Sequence, residues 1–91
     1  MKVTILIPAP FRRYADEDEL IETEAGTIEA VLSQLASRYP QLKERLLGAD
    51  GTLMKHLAIA RNGSVVPTST FGEAIVADGE SVEILFVASG G

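Results

Sequence analysis

Apolar and polar residues alternate with period two over residues 2–7: Val3, Ile5 and Ile7 fall on one side, and Lys2, Thr4 and Leu6 on the other. That parity predicts a half-buried strand, which Pro8 and Pro10 end because proline has no N–H to give to a ladder. The polar stretch over residues 12–19 reads as a loop. Its Asp16-Glu17-Asp18-Glu19 run reads as a solvated turn without metal-ligand spacing. Residues 20–24 resume as a short strand, antiparallel to the first. The period then changes. Ile28, Val31, Leu32, Leu35, Ala36 and Tyr39 form one apolar stripe at helical spacing, with Thr27 as the expected N-cap and Glu29 beside the positive end of the helix dipole. Pro40 closes this helix. Residues 41–47 add one or two further helical turns, with Gly48 in the C-capping position.

Residues 56–61 and 64–66 flank Asn62-Gly63, a strong hairpin signal. Asp78-Gly79 predicts a turn into the last strand, residues 81–87. The order is strand, strand, helix, strand, short strand, strand, so one long helix must bury its stripe on a mixed sheet: an α+β domain. The first and last strands are the most apolar and are expected as parallel neighbours at the sheet centre. In the last strand Glu83 must face solvent, which turns Val82, Ile84 and Phe86 toward the helix. Leu85 and Val87 then lie on the open sheet face, joined by Leu6 and by Ala58 and Ala60. This shallow apolar area is the expected partner-docking surface. Asp78, Glu80 and Glu83, close to the tail in sequence, would steer it toward a basic groove. Arg12 and Arg13 read as solubilising the first loop.

Composition narrows the chemistry. Ninety-one residues supply one core, and a 46% hydrophobic, 23% charged chain is globular rather than disordered. With no cysteine there is no disulfide, thiolate nucleophile or thiolate metal site. His56 has no motif partner and reads as structural or solvated. No glycine-rich phosphate loop is present, and no metal or bound cofactor is expected. The net charge of −5 argues against nucleic acid and suits a basic protein partner. No apolar stretch approaches a bilayer span, and Met1-Lys2-Val3 opens strand-like sequence without a signal-peptide pattern, so no membrane contact and a cytoplasmic location are expected. Conventional catalysis is poorly supplied.

The last residues read Ala88-Ser89-Gly90-Gly91, directly after the apolar run. A diglycine is thin enough to enter a narrow channel. Residues 87–91, fully extended, reach roughly 15–18 Å at ~3.3–3.6 Å per residue, enough to present a carboxyl group inside another protein.

This order of elements, with Gly90-Gly91 at its end, resembles the β-grasp fold of the ubiquitin-like sulfur carriers, the MoaD/ThiS family. Residues 3–14 are similar to the family's first strand and following loop, and residues 38–47 to its helix end. Asn62-Gly63 matches its hairpin, and residues 78–82 its turn into the last strand. The family often carries prolines late in that strand, where this chain has Phe86-Val87, and Val-Ala-Gly-Gly is a more usual ending.

The resemblance implies one sulfur-carrier domain over residues 1–91 with a flexible tail at 87–91. A ubiquitin-activating-type enzyme would use ATP and magnesium to adenylate the carboxylate of Gly91, with Gly90, Ser89 and Ala88 threading its channel. A sulfurtransferase or persulfide donor would then supply sulfur, leaving a thiocarboxylate for a sulfur-accepting synthase. Molybdopterin, thiamin, cysteine or another thio-metabolite fits as the destination, and the carrier would be a monomer or pair with its synthase. It would itself be no enzyme. Two alternatives stay open: a protein modifier that forms isopeptide bonds through Gly91, and a β-grasp interaction module with an inert tail.

Overall fold

The computed structural model describes residues 1–87. Strand β1 (Lys2–Leu6) pairs antiparallel with β2 (Leu20–Glu24), and β3 (Gly26–Thr27) leads into helix α1 (Ile28–Arg38). Helix α2 (Pro40–Leu46) follows, then β4 (Leu57–Arg61), β5 (Ser64–Val66), β6 (Ile75–Val76) and β7 (Ser81–Phe86). The main sheet has the order β2-β1-β7-β4-β5, with β1 and β7 parallel and the other pairs antiparallel. The most apolar strands therefore do sit side by side inside the sheet. This is the β-grasp arrangement.

Period-two parity decides which side chains enter the core. Val3, Ile5 and Ile7 are buried, as are Ile21, Leu57, Ile59, Val82 and Ile84, and they meet Ile28, Val31, Leu32, Leu35 and Ala36 of α1. The Thr27 hydroxyl accepts the Ala30 N–H at 3.0 Å, which satisfies one of the donors that open α1. Pro40 closes α1 and also opens α2 from its first turn, where a missing N–H costs nothing. Leu42 and Leu46 bury the inner side of α2, which packs on a 3-10 turn at Ala9–Tyr14.

Four features differ from the pattern expected of the sequence. Residues 12–19 are not wholly loop, because the 3-10 turn at Ala9–Tyr14 buries Phe11 as a lid on the core. Gly48 is no left-handed cap: Leu47 ends α2 in an extended conformation, and its bridge to Leu53 closes a turn in which Gly51 takes the positive φ. A two-residue ladder between β3 and β6 is a further, unexpected sheet. Phe86 does not join the core. Its register opposite Leu57 gives it the helix-side parity, but at the strand end the ring packs beside Phe11 and His56 and stays 47% exposed.

Among the described residues no helix is long and apolar enough to cross a membrane.

Candidate functional site

The site is built around the two ends and the open face of β7. At its C-terminal end the Val87 N–H donates to the His56 carbonyl at 2.9 Å, one hydrogen bond beyond the ladder. The chain is thus held through residue 87. The Phe86 ring lies edge-on to Phe11 with centroids 5.0 Å apart and stacks on His56 at 6.2 Å. Tyr14 extends this cluster, with the Arg45 guanidinium 4.8 Å and the Arg13 guanidinium 5.6 Å from its ring centroid. His56 is therefore a solvated stacking partner of Phe86. Arg12 does more than solubilise its loop: its Nε donates to the Ile7 carbonyl at 3.0 Å and fixes the end of β1.

Of the residues expected to dock a partner, Leu6, Leu85, Ala58 and Ala60 do share the face of the sheet away from α1. Ala58 lies opposite Leu85, and Glu83 lies between Leu6 and Ala60. Ala60 is a correction in exposure. It is only 6% exposed and forms the floor of a shallow depression of about 180 Å³ with Leu6, Leu20 and Glu83 on its walls. A small side chain under larger neighbours is covered by them. Val87 lies just past the strand, 38% exposed. Ala88, Ser89, Gly90 and Gly91 fall outside the described residues. Leu20 and Val65, two exposed members of the open face, were not singled out from sequence, although the parity of β2 and β5 contains them.

The expected acidic steering group does not assemble. Glu80 and Asp78 precede β7, whereas the tail leaves after it, and extended chain of ~3.3 Å per residue puts roughly 20 Å between Glu80 and Phe86. Both carboxylates work inside the fold. Asp78 accepts the Lys2 N–H at 2.7 Å. Glu80 accepts the Ala77 N–H at 2.7 Å and the Asn62 side-chain amide at 3.4 Å, and these bonds hold its carboxyl below the usual glutamate range. Of the three, Glu83 alone lies on the open face. Among the described residues no group of three or more His, Asp or Glu side chains is arranged to hold a metal.

The strand pairing that fixes β7 and the apolar open face beside it are the described parts of the site. The sequence profile of the ThiS family matches residues 5–91, nearly the whole chain. The chain belongs to the ThiS family. It is similar to the sulfur carrier protein CysO of Mycobacterium tuberculosis, 32% identical over 93 residues that cover both chains completely. The crystal structure of Mycobacterium tuberculosis CysO superposes with a TM-score of 0.81 at 31% identity, covering 94% of this chain and 99% of that one. A chain of the Amycolatopsis orientalis BexX/CysO complex gives 0.81 at 28% identity, covering 98% and 99%. SAMP1 from Haloferax volcanii also gives 0.81, at 23% identity over both whole chains, which is a likeness of fold.

Proposed function

We propose that this ThiS-family protein carries sulfur as a thiocarboxylate on Gly91. As a family member it is a carrier rather than an enzyme. The observation that carries this reading is the reach of the family match through Gly90-Gly91 to residue 91. Supporting it, the bond from the Val87 N–H to the His56 carbonyl pins the chain just past the end of β7.

The chemistry needs a partner for every step. A carboxylate is a poor electrophile, so its oxygen attacks the α-phosphorus of ATP, pyrophosphate leaves, and the acyl adenylate gains AMP as a leaving group. Magnesium and oxyanion donors for this step belong to the adenylating enzyme. A persulfide then attacks the carbonyl carbon and expels AMP. A second thiolate on the donor cleaves the resulting acyl disulfide, forming a donor disulfide and releasing the thiocarboxylate. The carrier itself contributes position: a tail thin enough to thread a channel, on a strand too well pinned to follow it. Its similarity to CysO favours cysteine formation among the destinations, with a sulfur-accepting synthase as the last partner.

The test is ATP–pyrophosphate exchange by the adenylating enzyme of the source cells. Wild type should support it, and a variant with one residue appended after Gly91 should not, with its melting temperature unchanged. Equal exchange by both proteins would remove Gly91 as the reacting group.

A further inference from the structure

One cross-strand row runs over the whole open face. Leu20 of β2 lies opposite Leu6 of β1, Leu6 opposite Glu83 of β7, Glu83 opposite Ala60 of β4, and Ala60 opposite Val65 of β5. At ~4.8 Å per strand the row is roughly 19 Å long. Its outer members, Leu20 and Val65, are 56% and 59% exposed. Leu85, next on the same side of β7, and Ala58 opposite it widen the apolar band. The single charge in the row is Glu83, on the central strand. No other described residue gives the Glu83 carboxylate a hydrogen bond or an ion pair. Among the described residues the face also has no spare cation: Lys2 is bound to Glu24 at 2.9 Å, and Glu22 adds a second negative group.

A lone carboxylate costs little while water covers this face. Once a partner covers it, the charge loses its hydration, and an unpaired buried charge is strongly unfavourable. A merely apolar partner surface is therefore rejected, and one that places an arginine or lysine opposite the row centre is accepted. We infer that Glu83 is a specificity determinant on the docking face of this carrier, pairing with a basic side chain that the adenylating enzyme presents within an apolar surface. The inference rests on the proposed function. The adenylating enzyme is the occupant because β7 both carries Glu83 and ends in the tail that this enzyme must take first, so one docked sheet face sets the position of the end. The charge complementarity fits a carrier whose net charge is −5.

The experiment is the same exchange assay, read as the carrier concentration dependence for wild type, Glu83→Gln, Glu83→Lys and Glu44→Lys. Glu44 lies exposed on α2, away from the open face, and its reversal changes the net charge as much as Glu83→Lys does. Glu83→Gln should raise KM at least about tenfold with kcat little changed, because it leaves the partner's cation unpaired. Glu83→Lys should raise it further, and Glu44→Lys should stay near wild type. Exchange with wild type but equal KM for Glu83→Gln overturns the inference and leaves the sulfur-carrier reading standing. Parallel losses in Glu83→Lys and Glu44→Lys would also overturn it, as diffuse electrostatics. No exchange with wild type would sink the function and the inference together. Sedimentation supplies the last outcome: a wild-type dimer that Glu83→Gln tightens would assign the face to a second copy and overturn the enzyme as occupant.

Discussion

The carboxylate of Glu80 ties the turn before β7 to the Asn62 side chain of the neighbouring hairpin, and so fastens β7 at the end remote from the tail. Both bonds favour its charged form, so its folded pKa lies below the ordinary value of 4.5. A depressed folded pKa gives stability that is fully present above the unfolded value and lost as pH falls through the folded one. Glu80→Gln should therefore lower the urea midpoint at neutral pH, and the gap to wild type should close in acid below the glutamate range. A gap that is constant with pH would show that the amide, not the charge, matters. At this scale the sequence was informative about identity but not about duty. The nearness of Asp78 and Glu80 to the tail along the chain suggested steering, yet an extended strand carries six residues across the whole sheet. Phe86 was similarly assigned to the core by parity, which says which side a residue faces and not whether anything covers it there.

Elements with a sustained period were legible before the structure. Strand β1 and helix α1 repeat their pattern over enough residues to decide type and face, and Thr27 marks the helix start correctly. Asn62 and Gly63 take φ of 52° and 82°, the doubly positive pair of a tight hairpin turn, as the Asn-Gly signal requires. Gly63→Val should cost about 1–2 kcal/mol in equilibrium unfolding, since a side chain there meets the left-handed backbone penalty. An unchanged midpoint would mean that the β4–β5 turn relaxes freely. The β3–β6 ladder and the 3-10 turn at Ala9–Tyr14 were not legible. Two residues have no period, and Pro8 and Pro10, which end a strand, also suit the entry into a tight helical turn.

Taken as a whole molecule, the protein separates holding from delivering. The helix-side core holds β7 in the middle of the sheet, while the opposite face carries the exposed Leu20 and Val65. Alternation within single strands placed Leu6, Leu85, Ala58 and Ala60 on that open face. The row through Glu83 needed the register between strands, which long-range pairing sets and no single strand records. The central claim is the chemistry at Gly91. Its most direct test is the intact mass of the protein after incubation with its adenylating enzyme, ATP, magnesium and a persulfide donor. The expected result is a gain equal to exchange of one oxygen for sulfur, localised to the peptide that ends at Gly91. An unchanged mass with an enzyme that demonstrably forms the adenylate would contradict it.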